Sequence, residues 1–404
     1  NSVFSDGRTR PMSSRLDDIA DWLLVAGQHQ ATLRELTHEL ILRLHDAGIP
    51  LTRANLGVFA LHPEMAGYAV SWEQGMAEPI EFPVTHEDTL TPTYLDSPIE
   101  ARVESGDPLY FDLEDPADGH EYPVLAEFQA KGNTDYRGFA IQYGKGGVAA
   151  LTLCTNRPGG FESWQLEGIT SLFSVLRLLV ELVETRRFTR TVLSTYLGRH
   201  TGTRVLEGKI HLGQGEAIDA ALWLCDLRGF TAMTASLGSM GMIEVVNLYF
   251  DCMAEAVWEE GGEILKFMGD AMLVVFRITE SVTAVEASRR AMRAAQGAQR
   301  RLSVLSGRRA AEGLDPLRAG IAVHLGRVVY GNIGARTRLD FTVMGNSVNL
   351  VARIQSLTGD LDEPVLFSPQ VAEHLEDPVQ SVGEHLLKGV EHPVEIFRLD
   401  PSAR

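Results

Sequence analysis

Apolar residues recur at helical spacing through the first part of the chain, at Leu16, Ile19, Leu23, Leu33, Leu36, Leu40 and Leu44, and predict helix over residues 16–47. Short apolar and β-branched runs follow, NLGVFAL, AGYAVSW and DPLYFDL, the last after a predicted helix at 98–105. PVLAEFQAKG predicts another helix. YRGFAIQYG and GVAALTLCT predict two strands joined by a hairpin at the glycines of YGKGG. A loop at NRPGGFESWQ then opens into a long apolar helix. Ile169, Leu172, Leu176, Leu179 and Val183 are spaced 3-4-3-4 on it, which suits a short coiled-coil seam and equally a helix packed on its own domain. RRFTRTVLSTYLG predicts a further short helix, and TGTRVLEGKIHLGQGEA a turn-rich connection.

From residue 218 the pattern changes to strand (219–225), helix (231–259), hairpin (262–276) and helix (282–304). A strand pair (318–333), a helix (345–357) and short strands near 365, 385 and 396 complete it. This βαββαβ order predicts a ferredoxin-like antiparallel sheet with helices on one face. The whole is an α+β chain: a tail at 1–15, an α+β domain at 16–165, a helical linker at 166–208 and a ferredoxin-like domain at 209–404. Met12 is a candidate natural start within that tail.

Composition narrows the possible partners. The 404 residues are 45% hydrophobic, ordinary for folded domains, and the formal charge of -18 argues against a general nucleic-acid binder. Cys154, Cys225 and Cys252 lie far apart without metal-ligand spacing, so buried thiols in a reducing, cytoplasmic setting are expected. The most apolar helical stretch carries Arg177 and is too short to span a membrane. No apolar signal core precedes Met12.

Candidate chemistry begins at LCDLRGFTAM, where Asp226 follows the apolar run Ala220–Cys225. A lone carboxylate there would be a capped turn. A companion stands at the tip of the hairpin GGEILKFMGDAMLVVF, where Asp270 can lie beside the end of a neighbouring strand. Two such carboxylates, with no base adjacent to Asp270, suit hard divalent cations. Paired metals are a recurrent device for activating an attacking oxygen and stabilising a leaving phosphate. Gly229, Phe230 and Thr231 add backbone amides at a predicted helix start, a site for a triphosphate. In RLDFTVMGNSVNLVARI, Asn349 and Arg353 are four apart and share a helix face, either a salt-bridged surface or a ligand face.

Over residues 219–399 these pieces resemble the catalytic domain of class III nucleotidyl cyclases. The match is carried by DLRGFT, GGEILKFMGDAMLVVF, GIAVHLGRVVYGNIG, RLDFTVMGNSVNLVARI and LLKGVEHPVEIFRL, in the family's order. The resemblance implies that Asp226, Asp270 and the Leu227 carbonyl bind two Mg²⁺ or Mn²⁺ ions. It implies that Lys266 and Thr342 read the base, Asn349 orients the ribose and Arg353 stabilises charge on the reacting phosphate. Lys388, in LLKGV, is the candidate for the triphosphate. Many adenylyl cyclases have aspartate where Thr342 falls. The Lys–Thr pair is similar to the subgroup called IIIb, some of whose members respond to bicarbonate.

A lysine can only donate, which suits N1 of adenine and not the N1–H of guanine, whereas threonine is permissive. The expectation is therefore an adenylate cyclase taking ATP to 3′,5′-cyclic AMP and pyrophosphate, with guanylate or pyrimidine cyclase as the alternative. A homodimer with two composite sites is implied, because both sets of site residues stand in one chain. Residues 20–185 resemble GAF sensor domains through GVAALTLCTNRPGGFESWQLEGITSL, with an unidentified small-molecule effector. Neither Cys154 nor His62 argues for a bilin or a haem, and no haem or flavin is expected. A catalytically silent nucleotide-binding protein is the reading from another class. A diguanylate cyclase, suggested by GGE at 261–263, lacks the rest of that signature.

Overall fold

The chain divides into two units, Asn1–Thr189 and Arg190–Arg404. The structure, a computed structural model, describes residues 12–29, 32–59, 65–98, 108–115, 122–144, 147–208, 213 and 215–403. The predicted helix at 98–105, most of the tail and parts of the YGKGG turn and the 209–214 connection fall outside these.

In the N-terminal unit the predicted opening helix is two, α1 (Met12–Val25) and α2 (Leu33–Asp46). They are separated by a short 3₁₀ turn, and a capping box closes the start of α2: Thr32 accepts from the Glu35 amide while Glu35 accepts from that of Thr32. The strands are β1 (Arg53–Phe59), β2 (Met65–Glu73), β3 (Ile80–Thr85), β4 (Leu109–Asp112), β5 (Asp135–Tyr143) and β6 (Gly147–Thr155). They form one antiparallel sheet in the order β3-β2-β1-β6-β5-β4. Alternation along β1 and β6 puts Ala54, Leu56, Val58, Leu151 and Leu153 into one core with α1 and α2. Helix α3 (Pro123–Ala130) covers part of the other face with Leu125 and Phe128.

Helices α4 (Ser163–Ser171) and α5 (Phe173–Leu197) close the first core. Ile169, Leu172, Leu176, Leu179 and Val183 are all buried in it, so the 3-4-3-4 stripe is a core face of its own unit and not a coiled-coil seam. Gly27 of the 3₁₀ turn lies so close to Leu179 that a Cβ there would approach it to 2.9 Å. The predicted separate helix over RRFTRTVLSTYLG is instead the continuation of α5.

In the C-terminal unit, α6 (Arg199–Leu206) precedes β7 (Gly215–Leu227), α7 (Phe230–Glu259), β8 (Glu263–Met268), β9 (Ala271–Arg277) and α8 (Ala284–Ala311). Then come β10 (Ala319–Ala335), β11 (Arg338–Met344), α9 (Asn346–Asp360), β12 (Val365–Phe367), β13 (Val379–His385) and β14 (Val394–Leu399). The predicted strand pair at 318–333 is the single strand β10, whose hairpin partner is β11. The sheet runs β13-β14-β12-β10-β7-β9-β8, with β11 extending β10, and the β10–β12 pair is parallel.

Helices lie on both faces, correcting the one-face expectation. Trp223, Cys225 and Leu227 point to a core with α7 and α8, whereas Leu222 and Leu224 point to one with Val351 and Ile354 of α9. The unbroken apolar run in β7 is the signature of a strand buried on both sides. Helix α6 is tied to this sheet by Thr201, whose hydroxyl donates to buried Glu263 at 3.3 Å, and by Arg204, 2.7 Å from Glu216. No helix among the described residues is long and apolar enough to cross a membrane.

Candidate active site

The two predicted carboxylates meet because of register. Asp226 pairs with Ala271 of β9 on one side and with Gly320 of β10 on the other. In the β8–β9 hairpin Met268 pairs with Ala271, leaving Gly269 and Asp270 as a two-residue turn. Gly269 has φ of 67°, the left-handed first position such hairpins favour. Asp270 therefore stands directly before the residue opposite Asp226, and the two carboxyl groups are in hydrogen-bond contact.

Burial, then the hydrogen bond and charge of Asp270, push the Asp226 carboxyl up to about 7, with the Leu227 amide acting weakly the other way. Among the described residues no lysine or arginine forms an ion pair with either carboxylate. Like charges held together in partial burial, without a counter-charge, make a site short of a cation. Two carboxylates and the adjacent Leu227 carbonyl suit Mg²⁺ or Mn²⁺, which keep further positions for water and phosphate oxygens. No larger acidic, histidine or cysteine cluster occurs among the described residues. Behind the pair, the Tyr249 hydroxyl donates to Cys225 Sγ at 2.9 Å, and burial pushes that thiol up to about 12, leaving it inert.

After β7 the chain turns through Gly229, at φ of 76°, into α7 at Phe230. Gly229 and Thr231 are exposed and Phe230 is half-buried, so the first amides of α7 face an open turn one step from Asp226. Lys266 is on β8, just past a bulge between Ile264 and Lys266. Its ammonium lies 3.3 Å from Asp340 Oδ2 on β11. Thr342 shares that face of β11, two residues on. It is 6% exposed, and its hydroxyl has no hydrogen-bond partner among the described residues.

Asn349 and Arg353 lie on the exposed face of α9, and Lys388 in the exposed loop after β13. None of the three side chains makes a hydrogen bond or ion pair among the described residues. The structure thus brings Asp226 to Asp270, Lys266 to the Thr342 strand and Asn349 to Arg353. No hydrogen bond or ion pair joins the carboxylates to the other two groups. Two contacts around these residues lie outside the sequence expectations, at Asp340 and at Arg228. Asp340 could have been found from its alternate position to Thr342 on a strand. Arg228, whose side chain reaches the far end of α9, carries no local signal.

Residues 216–400 match the family model described as the adenylate and guanylate cyclase catalytic domain. The chain is similar to an adenylate cyclase of Anabaena cylindrica, 31% identical over 42% of this chain and 33% of that protein. It is also similar to adenylate cyclase 1 of Rhizobium meliloti, 27% identical over 43% of this chain and 26% of that protein. The matches thus span about a third or less of these curated relatives. Among solved structures it is similar to the adenylyl cyclase CyaB from P. aeruginosa, with a TM-score of 0.44 and 27% identity over 47% of this chain and 98% of that one.

Proposed function

We propose that this chain, whose residues 216–400 are a class III adenylyl/guanylyl cyclase catalytic domain, converts ATP to 3′,5′-cyclic AMP and pyrophosphate in composite sites of a homodimer. The observation that carries this reading is the touching pair Asp226 and Asp270, partly buried and without a counter-charge. With the Leu227 carbonyl they would hold two Mg²⁺ or Mn²⁺ ions, whose charge acidifies a bound hydroxyl and stabilises a leaving phosphate.

The chain's own groups do the rest. Asn349 orients the ribose so that its 3′-oxygen lies in line with the α-phosphorus and the departing pyrophosphate. Arg353 meets charge developing on that phosphorus, a role whose removal typically costs ~10²–10³ in rate. Lys388 and the amides at Gly229, Phe230 and Thr231 take the triphosphate. Asn349 and Arg353, exposed and without a side-chain partner among the described residues, are free to meet the carboxylates of a second copy.

Base selection rests on three residues. Lys266 donates to adenine N1, and the unpartnered Thr342 hydroxyl accepts from the adenine amino group. Asp340 holds the Lys266 ammonium in place. Guanine would set its N1–H against that ammonium, leaving donors unpaired. The N-terminal unit, with its antiparallel sheet and long exit helix, is assigned the role of a GAF-like sensor for an unidentified small molecule. Helix α5 continues across the division between the units and is the route for its effect.

The test is product formation by the purified chain with Mg²⁺ or Mn²⁺ and each of the four nucleoside triphosphates. Cyclic AMP from ATP alone, lost in Asp270→Ala, is expected. A different cyclic nucleotide would overturn the base assignment and keep the chemistry. No product from any of them would favour a nucleotide-binding signalling protein.

A further inference from the structure

Arg228, two residues past Asp226, makes no hydrogen bond or ion pair with the carboxylates, and its guanidinium reaches the C-terminal end of α9. Its backbone amide donates to the Arg318 carbonyl at 2.8 Å. Its Nη2 donates to the carbonyls of Thr358 at 2.5 Å and Glu363 at 2.7 Å, and its Nη1 pairs with the Asp362 carboxylate.

These acceptors form a single structural motif. The Glu363 amide donates to Thr358 O at 3.0 Å and the Asp362 amide to Gly359 O at 3.3 Å, the two bonds of a Schellman helix end. Its left-handed position, normally glycine, is held by Asp362 at φ of 52°, the one non-glycine residue with positive φ in the described chain. Arg318 Nη2 joins Arg228 on the same carboxylate at 2.7 Å. Thr358 is 1% exposed and pressed onto β10: a Cβ at Gly320 would come within 1.8 Å of its hydroxyl. Gly320 is the β10 partner of Asp226. Helix α9 is thus pinned at its C-terminal end, by backbone and side chain, to the strand and turn that carry the metal-site carboxylate.

Thr358 in this pinned end is five positions, roughly 7.5 Å of helix rise, from Arg353. Tilting α9 about that end displaces Arg353 and Asn349 directly. We infer that Arg228 is a positioning residue that sets two half-sites at once: the carboxylate turn of one composite site and the ribose- and phosphate-binding face of α9 in the other. This rests on the composite-site reading above, and it makes the two sites of a dimer mechanically linked through each protomer.

Mixed dimers of differently tagged full-length chains separate the possibilities. One chain carries Asp270→Ala and the other Arg353→Ala; each homodimer is inactive, and the heterodimer holds one intact site. Recovery of cyclase activity in the heterodimer supports the composite reading, and its absence sinks that reading together with the two-site role of Arg228. Arg228→Met is then added to one chain or the other. The expected result is a loss of about 10–10²-fold in kcat whichever chain carries it, because angstrom-scale misplacement of reacting groups costs that much. The KM for ATP should move far less.

Loss only with the Arg353→Ala chain would confine Arg228 to the carboxylate turn. Loss only with the Asp270→Ala chain would confine it to α9. Either result, or loss in neither, overturns the inference. Asp362→Gly, which relaxes the left-handed turn, provides the check on folding. If it restores the kcat of Arg228→Met, Arg228 merely stabilises a helix end and the positioning role is wrong.

Discussion

Asp135 in the N-terminal sheet and Asp226 in the C-terminal sheet are the same side chain at comparable places, each at one end of a strand, and burial raises the pKa of both. Their surroundings differ. Asp135 is 2% exposed and has a counter-charge: its Oδ1 lies 2.9 Å from the Arg137 guanidinium without a hydrogen bond, and its Oδ2 accepts from the Phe161 amide at 3.0 Å. The loop at Gly160 wraps so closely that a Cβ would approach its Oδ2 to 2.5 Å. Asp226 has another carboxylate for a neighbour. Burial alone therefore does not mark a site. The missing counter-charge does; an unpartnered buried atom by itself does not, since Trp223 Nε1 in the core lacks a hydrogen-bond partner among the described residues just as the Thr342 hydroxyl does.

The sharpest way to break this comparison is to remove each carboxylate. Asp270→Ala should abolish turnover, by at least about 10³-fold, because the metals contribute several kcal/mol to the transition state. It should leave thermal stability unchanged or raised, since a repulsion is relieved. Asp135→Ala should do the reverse, costing about 3–5 kcal/mol of unfolding free energy by stranding Arg137. Urea denaturation beside a cyclase assay reads both. A destabilised Asp270→Ala, or a neutral Asp135→Ala, would erase the distinction.

How much of this was legible follows from the range of each interaction. The carboxylate pair could be read from sequence because a strand end and a hairpin tip are local patterns. The unbroken apolar run Ala220–Cys225 also carries the two-faced burial of β7, whereas the βαββαβ order on its own implies helices on one face only. The seam from Ile169 to Val183 was ambiguous for a physical reason: a 3-4-3-4 stripe is the same whether a second chain or the helix's own sheet covers it. Asp340 and Arg228 depend on which residues face one another across strands and across the 130 positions from Arg228 to Thr358. Spacing along the chain does not carry that.

A milder test concerns the base pocket, where one partner is present and one is missing. Lys266 and Asp340 are partly exposed, 32% and 58% by side chain, so their ion pair is worth at most about 1 kcal/mol. Asp340→Ala should therefore reduce the ATP-over-GTP preference in kcat/KM by only about two- to fivefold. Lys266→Ala, which removes the donor to adenine N1, should reduce it by about 10–10²-fold. If Lys266→Ala leaves the ratio unchanged, the base is read elsewhere.

The smallest effect should come from a buried titratable group that has a partner but no charge. His324, 5% exposed on β10, has its Nδ1 2.9 Å from the buried Ser368 hydroxyl, and burial lowers its pKa to about 4 from 6.5. A base whose pKa is lower in the folded state stabilises the fold when neutral. That stability is present above about 6.5 and is lost as pH falls toward 4, because the unfolded chain takes up the proton first. Between pH 7 and 6 the loss should be about 0.5–1 kcal/mol. His324→Gln, whatever it does to stability at pH 7, should flatten that part of the pH profile in urea denaturation. If the slope between pH 7 and 6 is the same in both proteins, His324 takes up its proton in the fold as readily as in the unfolded chain, and Ser368 is then an acceptor for an imidazolium. In that case it would belong with Asp135, as a buried charge whose partner is already in place.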